Sequence, residues 1–131
     1  MAQPVVNPKM EYRRLGSTGL KVSVLSFGSW VTFDTQLDDS LAIDCMAAAG
    51  EAGCNFFDNA EAYAGGESEA IMGRAFQALG WPRWSYVLST KVFFGIREGV
   101  PNMNMTLNQE QDNKTFSQLG KPQGACICLH A

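Results

Sequence analysis

The strongest constraint on this chain is a period of about thirty residues, the length of one strand-plus-helix unit. Extended apolar segments begin near residues 24, 54 and 86, and a helical pattern fills each interval. Val24-Leu25-Ser26-Phe27-Gly28 is too short for a helix and runs into a glycine and small residues, as a buried strand entering a loop would. Cys54-Asn55-Phe56-Phe57-Asp58-Asn59-Ala60 has the length and apolar character of a second buried strand, and Tyr86 to Val92 is a third, rich in β-formers. Strands alternating with helices predict a parallel sheet, because parallel neighbours need a crossover between them. Periodicity alone does not separate a doubly wound sheet from a barrel; both place functional groups at the C-terminal strand ends.

The helix boundaries are written locally. Asp38, Asp39 and Ser40 supply a capping side chain and negative charge for the first helix. Leu41, Cys45, Ala48, Ala49 and Ala52 recur at helical spacing as its expected apolar face, and Gly53 is placed to end it. In the second helix Glu67, Ser68 and Glu69 form an acidic first turn. Ile71, Met72, Ala75, Phe76 and Leu79 make its apolar face, and Gly80 with Pro82 closes it. Ahead of the first unit, glycines at 16 and 19 bracket a hairpin between Glu11–Leu15 and Leu20–Ser23.

With 131 residues, 46% of them hydrophobic, the chain has material for one domain. A net charge of -3 and scattered Lys and Arg offer no basic face for nucleic acid. No apolar run reaches the roughly 18 residues of a membrane-spanning helix, and residues 1–9 lack the apolar core of a signal peptide, so a cytoplasmic protein that is not membrane-inserted is expected. Cys126 and Cys128 with His130 resemble the start of a metal site, but structural zinc wants about four ligands, and nothing upstream supplies a second pair at suitable spacing; no metal is expected. The sequence divides into a flexible start at 1–9, an ordered part at 10–98, and a divergent, disordered tail at 99–131 rich in Asn, Gln, Thr and Ser.

The chemistry concentrates at two strand ends. Asp58 closes the second strand, Tyr63 follows five residues later, and Lys91 ends the third. If neighbouring strands are in register, the ends carrying Asp58 and Lys91 lie about 5 Å apart, close enough for an ion pair. A phenol titrates near pH 10 in water, and a neighbouring ammonium favours its ionised form, which suits a general acid. Taken singly, each residue has a plainer use: Asp58 as a loop cap, Tyr63 as packing with a wet hydroxyl, Lys91 as a solvated cation.

Taken together they resemble a family. Asp58-Asn59-Ala60-Glu61-x-Tyr63, Ser89-Thr90-Lys91, and the opening Tyr12-Arg13-Arg14-Leu15-Gly16 with Gly19-Leu20-Lys21-Val22-Ser23 are similar to the aldo-keto reductase superfamily, over about residues 10 to 98. Leu25-Ser26-Phe27-Gly28-Ser29-Trp30-Val31-Thr32-Phe33 and Gln36 most resemble its branch of voltage-gated potassium channel beta subunits.

The resemblance implies an N-terminal fragment of a (β/α)8 TIM barrel that binds NADP(H) and passes hydride to a small-molecule aldehyde or ketone. It implies that Tyr63 protonates the carbonyl oxygen, Lys91 tunes Tyr63 and Asp58 supports Lys91. Ser29, Trp30, Gln36 and Asp58 match cofactor-contacting positions. The fourth catalytic position, on a following strand, has no counterpart, and its role does not pass to His130. The late strands that grip the adenosine are also missing, so a truncated chain is expected. The alternatives are a regulatory protein that binds a potassium channel alpha subunit, or an inactive truncated product.

Overall fold

The computed structural model describes residues 9–30, 33 and 38–91 and, in backbone alone, 126–128. It begins with the expected hairpin, β1 (Tyr12–Arg14) and β2 (Lys21–Ser23), antiparallel with Arg13 opposite Val22. The hairpin is fastened to the start of the second strand-helix unit. Asn55 Oδ1 accepts from the Ser23 amide at 2.7 Å, Asn55 Nδ2 donates to the Lys21 carbonyl, and the Tyr12 hydroxyl donates to the Gly53 carbonyl at 2.7 Å. It therefore closes the end of the sheet opposite Asp58 and Lys91.

The parallel strands are β3 (Phe27–Gly28), β4 (Phe56–Asp58), β5 (Val87–Thr90) and β6 (Cys126–Cys128), bonded in that order. This order answers what periodicity left open. A doubly wound sheet reverses direction at a switch point, whereas here the fourth strand continues outward beside the third, as in a barrel. The first strand is shorter than expected. Val24 and Leu25 form an exposed bend, and only Phe27 and Gly28 pair with Phe57 and Asp58. β6 falls within the stretch 99–131 expected to be a disordered tail: Leu88, Ser89 and Thr90 pair with Cys126, Ile127 and Cys128. An unpaired β5 edge would leave a row of backbone groups without partners. The remainder of the expected tail lies outside the described residues.

Helix α1 (Asp39–Glu51) starts as the sequence predicts, with the Asp38 carboxylate accepting from the Leu41 amide at 2.9 Å. It ends at Ala52, after which Gly53 takes a left-handed φ of 93°. Its buried face is a correction. Ala42, Met46 and Gly50 face the core, while Leu41 is exposed and Cys45 only partly covered. Both rows are apolar in this alanine-rich helix, so hydropathy does not choose between them. Contact with the indole of Trp81 does: a Cβ on Gly50 would come within 2.5 Å of it. Helix α2 (Glu67–Leu79) buries Ile71, Met72, Ala75 and Phe76 and closes on Gly80 in the left-handed region. Two features of its acidic first turn were not expected, the complete burial of Ser68 and of Glu69. Arg74 ties α2 to the start of α1 through a two-pronged bond to Asp39 at 2.6 and 2.8 Å.

Between sheet and helices lies the core of Phe33, Ala42, Met46, Cys54, Phe57, Ile71, Met72, Ala75, Phe76 and Leu88. Phe57 is its centre, with Phe76 edge-on at 5.3 Å and Trp81 and Tyr86 at 5.7 and 6.3 Å between ring centroids. Burying a side chain of this size is worth about 1.5–3 kcal/mol. It fixes β4 against both helices, so the residues on the opposite face of that strand are held at a defined position.

Candidate active site

Side chains alternate across a strand, so with Phe57 turned to the helices, Phe56 and Asp58 face the other way. Asp58 lies opposite Ser89 in the register, not opposite Lys91. Lys91 is two residues further on, on the same face, and its long side chain folds back. Nζ donates to Asp58 Oδ2 at 2.7 Å and to the Asn59 carbonyl at 2.8 Å. Ser89 Oγ donates to the other carboxylate oxygen, Oδ1. The ion pair expected from the sequence is thus present, by a different route, with a hydroxyl donor that the sequence reading missed. Its signal was available: Ser89 stands two residues before Lys91, the spacing that puts both on one face.

The pair is about one-quarter exposed on both sides, with relative accessibilities of 28% for Lys91 and 27% for Asp58. At this level of cover an ammonium and a carboxylate stay accessible to a bound molecule.

Tyr63 opens a short 3-10 turn, Tyr63–Gly66, that carries the chain into α2. Between Tyr63 and the start of α2, Ala64, Gly65 and Gly66 all take positive φ. The Tyr63 ring lies under the ammonium, with Lys91 Nζ 5.0 Å from the ring centroid. The contact is made through the aromatic face, a cation–π arrangement. On the ring's flank Trp30 stacks at 6.2 Å with the planes inclined by 23°. Trp30 is 72% exposed, an aromatic surface open to a flat ring.

Ser29 is fully buried, and both its amide and its hydroxyl donate to the Asp58 carbonyl at 3.2 and 3.1 Å. It secures the strand end that bears the carboxylate. Gln36 and His130 lie outside the described residues. The structure therefore brings together Ser29, Trp30, Asp58, Tyr63 and Lys91.

Comparison with known proteins establishes the family. The aldo/keto reductase family model matches residues 24–119, and the chain belongs to that family. Its similarity extends to the channel beta-subunit branch. An Arabidopsis thaliana protein described as a voltage-gated potassium channel beta subunit is 55% identical over 86 residues, covering 66% of this chain and 26% of the relative. A Schizosaccharomyces pombe protein of the same description is 40% identical over 123 residues, 91% of this chain and 36% of the relative. The chain thus spans about a quarter to a third of the length of these relatives.

Among solved structures, a Pseudomonas aeruginosa protein described as an aldo-keto reductase superposes with a TM-score of 0.74 at 29% identity, over 91% of this chain and 46% of that one. The holo form of a Bacillus halodurans aldo-keto reductase gives 0.66 at 28% identity, over 84% of this chain and 36% of that one. The fold is accordingly part of a (β/α)8 barrel. The family match also runs to residue 119, past the residues 10–98 that carry the motif resemblance.

Proposed function

We propose that this chain carries the catalytic strand ends of an NADP(H)-dependent aldo-keto reductase acting on small aldehydes or ketones in the cytoplasm. The observation that carries the reading is the convergence of Asp58, Tyr63 and Lys91 from two strands and one turn. When bound, the nicotinamide supplies hydride to the carbonyl carbon. Tyr63 donates its phenolic proton to the carbonyl oxygen, giving the alcohol, and regains a proton from solvent. Lys91 stabilises the negative charge that develops at Tyr63 and at the substrate oxygen. Asp58 and the Asn59 carbonyl hold Lys91 aimed. Trp30, exposed beside Tyr63, offers the nicotinamide a face to lie against; Asp58 and Gln36 would supply polar contacts, and Ser29 anchors the strand end that bears Asp58.

The test is NADPH oxidation by the purified chain with a simple aldehyde, with Tyr63→Phe alongside. Turnover that falls at least about 100-fold in the variant supports the reading, since a positioned general acid contributes about that much. Equal turnover in the two proteins removes Tyr63 from the reaction.

A second reading has its own support in the description of the plant and fission-yeast relatives as channel beta subunits. In it the chain binds a potassium channel alpha subunit. Retention of the chain by an immobilised alpha subunit without turnover favours it.

A further inference from the structure

The active-site face of the sheet accounts for Asp58, Ser89 and Lys91, but not for their neighbours. Adjacent residues of a strand project to opposite faces, so Asn59, beside Asp58, and Thr90, beside Lys91, turn toward α2. Both are polar and fully buried. Each is held by one of two consecutive residues in the first turn of α2. Ser68 Oγ donates to Asn59 Oδ1 at 2.9 Å, and Asn59 Nδ2 donates to the Ser68 carbonyl at 3.1 Å. Thr90 Oγ1 donates to Glu69 Oε1 in a very short bond. Ser68 and Glu69 are themselves buried, at 0% and 1% exposure.

Had this turn only to fill space between helix and sheet, apolar side chains would do so without the cost of desolvating a carboxylate. What the polar version adds is direction. Hydrogen bonds fix the rotation and height of Asn59 and Thr90, and through the backbone the positions of Asp58 and Lys91 one residue away. We propose that Ser68 and Glu69 form a positioning clamp on the Asp58–Lys91 pair, gripping the back of each strand end while the ion pair closes across the front. Only its consequence for turnover rests on the reductase reading; the clamp itself does not.

The experiment is competitive acetylation of the full chain with limiting reagent, read by mass spectrometry as labelling of Lys91 relative to Lys21, an exposed lysine of β2. Thr90→Val and Glu69→Leu remove the bond, whereas Thr90→Ser and Glu69→Gln keep a hydroxyl donor and an oxygen acceptor. The Lys91 to Lys21 ratio is expected to rise about threefold in the first two, the scale of a partly exposed ion pair coming loose. It should stay at the wild-type value in the second two. An unchanged ratio in Thr90→Val, or an equal rise in Thr90→Ser, overturns the clamp. Should Glu69→Leu not fold, Thr90→Val decides, since it exchanges a hydroxyl for a methyl group of similar volume. Carbonyl reduction is followed in the same proteins. A wild-type chain without turnover defeats the reductase reading and leaves the labelling ratios to judge the clamp. With turnover present, Thr90→Val lowers kcat about tenfold at unchanged NADPH affinity, and an unaltered kcat counts against positioning.

Discussion

Replacing Gly50 with alanine sets two effects of opposite sign against each other. In a solvent-facing helix the change stabilises by about 1 kcal/mol, because glycine loses the most backbone freedom on folding. At this position the new Cβ would lie 2.5 Å from Trp81 Cη2 and 2.6 Å from Cζ2, where carbon atoms rest at about 3.5–4.0 Å. The indole would have to retreat by about 1 Å. Its ring is backed by Phe57, Phe76 and Tyr86, at centroid distances of 5.7, 6.1 and 6.4 Å. Overpacking of this kind costs about 1–3 kcal/mol, so the clash outweighs the propensity gain, and a net loss of about 1 kcal/mol is expected. Urea unfolding followed by tryptophan fluorescence should show a lower midpoint at unchanged slope. In a Trp81→Leu background the same alanine should become neutral or stabilising, giving a coupling of about 1–2 kcal/mol in the double-mutant cycle. A Gly50→Ala protein with a raised midpoint, or a cycle with no coupling, would refute the reasoning.

Ala64 holds φ 53° and ψ 35°, a conformation that costs a residue with a Cβ about 1 kcal/mol. Ala64→Gly should therefore be neutral to stabilising by about 0.5 kcal/mol after the entropy of the freer unfolded chain is deducted, and Ala64→Val destabilising by more than about 1 kcal/mol, both read from thermal melts. On the acid side, the Leu41 amide and then the Ser40 hydroxyl hold Asp38 below the usual carboxylate range, and the Arg74 guanidinium does the same for Asp39. Groups with a depressed folded pKa add stability that is present above the unfolded pKa of about 4 and fades as pH falls through the folded values. Wild type should lose this contribution below about pH 4, and Asp38→Ala with Arg74→Met should show a flatter acid limb in melts against pH. On the alkaline side, burial raises the Tyr86 phenol, against a smaller opposing pull from Arg83. Its contribution is complete below the unfolded pKa of about 10 and fades as pH rises through the folded value, so Tyr86→Phe should flatten the limb above about pH 10.

Much of the site could be read in advance because its members sit at places that local rules mark. Asp58 and Lys91 end apolar runs of strand length, and Tyr63 follows in the loop. The linked motifs around them carry the family resemblance that the family match supports. Ser89 could be placed on the face of Lys91 by its spacing, but its partner Asp58 could not be read, and Asn59, Thr90 and Glu69 were not legible as partners. Nothing in a serine or threonine on a strand says which residue of the neighbouring strand it meets until the register is known, and that depends on pairing across 31 residues between Asp58 and Ser89. Glu69 reads as an ordinary acidic residue of a first turn, since its burial depends on how α2 tilts onto the sheet.

By itself the sequence determined the alternation of strand and helix, the capping of α1 by Asp38 and of α2 by Gly80, and the residues at the strand ends. Each of these follows from interactions within a few residues: hydropathic period, caps and left-handed glycines. Tertiary structure alone decided which of two apolar rows of α1 is buried, that the sheet runs in barrel order, and that Lys91 reaches back two residues to Asp58. Those outcomes turn on contacts between segments far apart in the chain, where the indole of Trp81 and the register of β4 against β5 choose among alternatives that hydropathy leaves equal.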